Sequence, residues 1–231
     1  MLKYVSTSDY NALKNLCEET PVELIDARVQ LAGSLRALIN VFSSARANEN
    51  QLKECRKTII HLTSILREAD SLPGYTRVLE GRLTGLGPNG ELGPFTGEMH
   101  VYSSGIKLDV SGTEDQKLVT GHVTYGAAFE GAPGLVHGGF IVATFDEILG
   151  LVQAGKQRMT ASLEVSYRAP APLHVPLVYK SWIEKVDGRK AYVCGHLLHN
   201  DVICAEAKAL FIQPRDTSAA PDRAGNAAAG I

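Results

Sequence analysis

The chain has 231 residues, 45% of them apolar and 21% charged, with a formal net charge of -2. That length can bury one sizeable core with a small appendage. The near-neutral balance excludes a dedicated nucleic-acid binder. No stretch is apolar for long enough to span a membrane, and the start, Met-Leu-Lys-Tyr-Val-Ser, lacks the apolar segment of a secretory leader. A cytoplasmic protein is therefore expected. The four cysteines, Cys17, Cys55, Cys194 and Cys204, form no Cys-x-x-Cys pair and are expected reduced and buried. His196 and His199 are three apart in an expected strand and so face opposite ways. No zinc spacing appears, and no metal or cofactor is expected.

Residues 1–70 read as helical. Leu31, Leu35, Leu38 and Phe42 recur at steps of four, three and four. Leu52, Cys55, Ile59, Leu62, Leu66 and Ala69 recur at steps of three and four. Both are narrow apolar stripes of coiled-coil type. Pro21 suits the first turn of a helix. The polar stretch Ser43 to Asn50 would join the two helices as an antiparallel hairpin. A solvated helical pair packed on a larger domain, or on its twin, is the expected role. Residues 71–97 are a connector rich in glycine and proline, expected to follow the surface or line a cleft.

From about residue 98 the period changes to two. Ile106, Leu108 and Val110 alternate with polar residues, and Leu118 to Tyr125 is a second strand candidate. After an apolar stretch reaching about Ala154, Ala161, Leu163, Val165 and Tyr167 alternate with Thr160, Ser162, Glu164, Ser166 and Arg168, the pattern of a half-buried strand. Pro170 and Pro172 end it. Leu177 to Val186, Lys190 to His199 and Val202 to Ile212 give three more strands, with hairpin signals at Asp187-Gly188 and Asn200-Asp201. The last strand sets Ile203, Ala205, Ala207, Ala209 and Phe211 on one face, where small alanines let a helix lie close. Residues 214–231 have the composition of a disordered tail. Strands, one long helix and four further strands satisfy an α+β arrangement, with an antiparallel sheet wrapped around the helix.

That central stretch runs from Gly134 to Gly150. Gly131, Pro133 and Gly134 mark a turn. Phe140, Ile141, Val142, Ala143, Phe145, Ile148, Leu149, Leu151 and Val152 then make a helix apolar on every side, expected to be buried. Only Thr144, Asp146 and Glu147 break the run. Asp146 follows Gly139 by seven residues, placing both on one face about 10 Å apart along the axis. Glu147 is rotated away by roughly 100°. A helix start carries unpaired N–H groups and partial positive charge, and Gly138 and Gly139 present no side chain to an approaching ligand. An oxygen developing negative charge is stabilised there. An anion site and an inner carboxylate on one helix suit hydrolysis of an activated acyl group.

The run Gly-Leu-Val-His-Gly-Gly, an acid nine residues after the histidine, and a strand ending Tyr-Arg-Ala-Pro-Ala-Pro-Leu together resemble the hotdog-fold thioesterases of the phenylacetyl-CoA thioesterase (PaaI) type. The Gly188-Arg189 turn adds to the resemblance, which covers roughly residues 98–213. Met159-Thr160-Ala161-Ser162-Leu163 also resembles the matching strand in members whose threonine assists catalysis. The organisation expected is a helical extension at 1–70, a connector at 71–97, a hotdog domain at 98–213 and a tail at 214–231.

The resemblance implies an enzyme hydrolysing an acyl-CoA or acyl-carrier-protein thioester, working as a homodimer or homotetramer with its site between subunits. It implies Asp146 as general base or nucleophile and Gly139, with Gly138, as the oxyanion donor. His137 would orient the thioester or the loop, and Thr160 would position water or Asp146. Taken alone, the residues also fit plainer roles. His137 suits a helix N-terminal histidine, the glycines suit a tight turn, Asp146 suits an ion pair, and Thr160 suits any strand. Glu147 is expected at the edge of the site or at an interface rather than as the catalytic acid. Arg158, Arg168, Arg189 and Lys190 suit the phosphates of a CoA or phosphopantetheine handle, or simply solvated strand ends. The rivals are a non-catalytic acyl-thioester-binding protein on the same fold, a hotdog hydratase or dehydratase, whose Asp and His arrangement is not found here, and a protein-interaction module built on the helices.

Overall fold

The computed structural model describes residues 15, 18–69, 75–76, 93–112, 117–153 and 158–213. Most of the expected connector and all of the expected tail lie outside these residues. Helices α1 (Val22–Ser44) and α2 (Glu49–Arg67) come first. Strands β1 (Lys107–Ser111) and β2 (Leu118–Val123) follow, then a 3-10 turn, η1 (Ala127–Phe129), and helix α3 (Gly138–Leu151). The chain ends in β3 (Met159–Tyr167), β4 (Leu177–Asp187), β5 (Lys190–His199) and β6 (Val202–Ile212).

The six strands form one antiparallel sheet in the order β1-β2-β4-β5-β6-β3. The expected α+β architecture is present: a sheet around one helix, preceded by a helical pair. The β5–β6 connection uses Asn200 and Asp201 with φ of 47° and 64°, the left-handed pair that a two-residue turn of matching twist requires. Gly188 provides the corresponding positive φ, 54°, between β4 and β5.

Helix α3 lies on the inner face of the sheet. Ile141, Phe145, Ile148 and Leu149 from the helix meet Val119, Leu177, Tyr179, Val193 and Leu197 from the strands, all buried. Ala205, Ala207 and Ala209 are buried beneath them on β6, and these small side chains admit the bulk of the helix. The helix is not covered on every side, however. Gly139 and Asp146 are exposed, and Val142 and Ala143 are only half-buried. Its apolar composition had implied complete burial, but the sheet encloses only one flank.

A polar seam runs through this core. The Tyr125 hydroxyl lies 2.9 Å from that of Tyr179 and 3.0 Å from Thr144 Oγ1, while Thr144 donates to the Phe140 carbonyl at 2.9 Å. Proton counting sets the direction. Thr144 has spent its only proton on the carbonyl, so Tyr125 donates to Thr144 and Tyr179 donates to Tyr125. Burial pushes both phenols above their ordinary value, Tyr179 well above it. The seam thus stays neutral and satisfied, as buried polar groups must be.

Helix α1 buries Ile25 and Ala32. It is tied down by polar contacts: Arg36 donates to the Glu98 and His100 carbonyls at 2.6 and 2.9 Å, and Asn40 Oδ1 accepts from the Ala128 N–H at 3.2 Å. Helix α2 starts with a capping box, in which Asn48 and Gln51 exchange side-chain-to-backbone bonds. It buries no residue, and its stripe of Leu52, Ile59, Leu62 and Leu66 is exposed. Cys55 is therefore exposed too, against expectation, whereas Cys194 and Cys204 are buried. Among the described residues, no helix is long and apolar enough to cross a membrane.

Candidate active site

The open flank of α3 faces strand β3, which lies at the sheet edge. Simple alternation had put Thr160 on the opposite face from Leu163 and Val165. The observed register corrects this. Thr160 pairs with Phe211 and Ser162 with Leu210, so a bulge at Ala161 inserts one residue and returns Thr160 to the helix side. Bulges cluster at sheet edges and beside sites because they re-aim a side chain. Here Thr160 Oγ1 donates to Asp146 Oδ1 at 2.9 Å, with both residues exposed.

At the other end, His137 is the N-cap of α3, and its Nδ1 accepts from the Gly139 N–H at 3.0 Å. That bond requires the proton of the neutral ring to sit on Nε2. The backbone of His137 is held as well, its N–H donating to the Phe129 carbonyl at 2.8 Å. Since Asn40 of α1 holds the neighbouring Ala128 N–H, the helical extension buttresses the turn that carries His137.

Glu147 points away from Asp146's flank, as its rotation on the helix implies. Its carboxylate accepts from the Phe95 N–H at 3.2 Å and from the Thr96 hydroxyl at 2.6 Å. Gly93 leaves room for it, since a Cβ there would force the Glu147 carboxylate to shift. Glu147 thus fastens the end of the connector, where Thr96 and Met99 are buried. Burial is the main cause holding its carboxyl above the ordinary 4.5, and Asp146 adds to the shift, while the bonds from Thr96 and Phe95 oppose it. The sign for stability follows. The folded state binds this proton more tightly than the unfolded chain does, so stability falls as pH rises through the interval above 4.5 and levels off beyond the raised value. Glu147→Gln should abolish that slope and keep turnover within a few-fold. Melting temperatures of both proteins from about pH 4 to 8 check the first part, and a steady-state assay checks the second.

The basic residues are dispersed. Arg168 donates to Glu206 at 2.7 Å, which holds that exposed carboxylate below its usual range. Arg189 donates to the Gln213 carbonyl at 2.7 Å, and Lys190 is exposed beside it. Arg158 is half-buried just before β3, its Nε without a partner among the described residues. None of these bonds reaches Asp146 or the helix start. The structure therefore brings together Asp146 with Thr160 and His137 with Gly139, and leaves the cations apart. Sequence reading missed the phenol of Tyr167, which donates to the Gly138 carbonyl at 2.9 Å. The Tyr-Arg-Ala-Pro run marked the residue but not its bond. No group of His, Cys, Asp and Glu able to hold a metal occurs among the described residues.

Residues 133–204 match the family model described as Thioesterase superfamily. Among curated proteins, the acyl-coenzyme A thioesterase THEM4 of Xenopus laevis is 39% identical over 92 residues, covering 38% of this chain and 41% of that protein. Its namesake in Bos taurus is 31% identical over 111 residues, covering 47% and 46%. The chain thus spans less than half the length of these relatives. A crystal structure described as a thioesterase superfamily protein superposes with a TM-score of 0.65 at 26% identity, covering 80% of this chain and 94% of the other. That share exceeds the sheet and its helix alone, so the likeness extends into the helical region.

Proposed function

We propose that this chain, whose residues 133–204 match the thioesterase-superfamily model and whose fold resembles a solved thioesterase-superfamily structure, hydrolyses acyl-CoA thioesters to free acid and thiol, with Asp146 as the catalytic carboxylate. The observation that carries this reading is the Thr160–Asp146 pair, in which Thr160 of β3 holds an Asp146 exposed on the helix that opens with His137, Gly138 and Gly139. Thr160 fixes one carboxylate oxygen and leaves Oδ2 to take a proton from water. That water adds to the thioester carbonyl, and the resulting oxyanion is met by the Gly139 N–H at the positive end of the helix. Collapse breaks the C–S bond, and the proton held by Asp146 passes to the departing thiolate.

One chain does not complete this site. Gly139 and Asp146 are about 10 Å apart along the axis, whereas reacting atoms must approach to about 3–3.5 Å. A second copy, paired along the exposed edge of β3, would set its Asp146 against this chain's helix start, and an uncovered edge strand favours such pairing. The dimer and the shared site are part of the proposal, as is the reach of Arg189 and Lys190 to the phosphates of the handle. The relatives' names favour CoA over a carrier protein as that handle.

The test is thiol release from short, long and aromatic acyl-CoAs. Turnover of at least one class supports the reading. Tight binding with no free thiol supports a binding protein on the same fold. Single turnover in ¹⁸O-water tests the carboxylate routes: water activation puts the label only in the product acid, whereas label in Asp146 requires an anhydride opened by water at the Asp146 carbonyl.

A further inference from the structure

The last residue of β3, Tyr167, turns its ring over the start of α3, and its hydroxyl donates to the Gly138 carbonyl at 2.9 Å. That carbonyl and the Gly139 N–H belong to one peptide group and point in opposite directions, since a trans peptide is planar. On the far side, the N–H donates to His137 Nδ1 at 3.0 Å. One peptide is thus held at both ends, by a phenol on its oxygen and an imidazole on its hydrogen.

We propose that Tyr167 is a positioning residue for the hydrolysis, fixing and polarising the 138–139 peptide so that its N–H meets the thioester oxygen. The inference rests on the thioesterase reading above. A bond donated to a carbonyl draws electron density toward oxygen and strengthens the N–H of the same amide as a donor. It also prevents the peptide from rotating in the first turn, where a helix is least restrained. The carbonyl has two lone pairs and can serve the helix and the phenol together.

The two glycines fit this division. A Cβ on Gly138 would lie 2.6 Å from the Tyr167 hydroxyl oxygen and 2.9 Å from Cζ, so glycine there is what lets the phenol reach the backbone. A Cβ on Gly139 would meet only the His137 ring, at 3.1 and 3.2 Å. His137 is exposed, so its ring can swing aside when a substrate oxygen takes the N–H. Tyr167 stays in place and keeps its proton, touching the substrate only through the backbone.

Tyr167→Phe keeps the ring and removes the donor. Its kcat on the best acyl-CoA should fall roughly three- to tenfold, the worth of one neutral hydrogen bond, with KM within twofold and the melting temperature unmoved. Incorporating 3-fluorotyrosine, a more acidic phenol, should hold kcat at or above wild type. Wild-type kcat in Tyr167→Phe overturns the proposal, as does a loss confined to KM or accompanied by unfolding. If Asp146→Asn is inactive while Tyr167→Phe is unaffected, Tyr167 alone is misassigned. If the wild-type protein releases no thiol from any acyl-CoA, the thioesterase reading falls and takes this inference with it.

Discussion

Asp146→Asn should leave a folded protein that still binds acyl-CoA but has lost turnover by about 10²–10⁴, the contribution of a positioned base. The substitution is nearly isosteric. Asp146 is exposed and the Thr160 hydroxyl can still donate to the remaining amide oxygen, so neither packing nor local geometry should suffer. What disappears is the ability to take a proton from water. The effect belongs in kcat rather than KM, because the carboxylate stabilises the transition state rather than the bound substrate. Thr160→Val should cost less, since it removes only the group that orients Asp146. If Glu147→Gln were the inactive variant instead, the choice between the two adjacent acids would be wrong. The bonds of Glu147 to Phe95 and Thr96 argue against that outcome.

Phe145→Ala should have the largest effect on folding, about 3–5 kcal/mol, the range for deleting a buried aromatic ring. Phe145 is fully buried at the centre of the helix–sheet interface. It meets Tyr179 edge-on with centroids 4.9 Å apart. It also occupies the space that glycine leaves on β5, since a Cβ at Gly195 would lie 3.2 Å from its ring. Tyr179 is held by its bond to Tyr125, and Ala205, Ala207 and Ala209 on the buried face of β6 are too small to fill the space. A domain of ordinary stability, about 5–15 kcal/mol, would lose a large part of its margin. Denaturant unfolding of the two proteins measures the difference, and a change under 1 kcal/mol would show the interface to be looser than described.

Local patterns made most of this fold legible. The bounds Lys190–His199 and Val202–Ile212 were expected as found, because alternation and the Asn200-Asp201 turn are written in adjacent residues. The His-Gly-Gly run likewise placed the helix start. The unread features depend on contacts between distant parts of the chain. The bulge at Ala161 shows only once β3 is aligned with β6, and without it Thr160 belongs to the wrong face. Glu147 bonds to residues about fifty positions earlier, so nothing beside it in sequence announces the partner. The Tyr125–Tyr179–Thr144 seam joins the segment just after β2, strand β4 and helix α3 in the same way. The apolar stripe of α2 was legible as a stripe, but periodicity does not say what covers it, and none of its residues is buried.

The shared site can be tested in one measurement, the activity of mixed oligomers. Asp146→Asn lacks the base. Gly139→Pro lacks the oxyanion N–H, and proline is tolerated in the first turn of a helix. Each folded variant alone should be inactive. Unfolding and refolding them together at equal amounts should produce hybrids in which one site keeps Asp146 from one copy and Gly139 from the other. With random pairing, about a quarter of wild-type thiol release should return. Hybrids that form, as shown by a tag on each variant, and yet release no thiol would contradict the account.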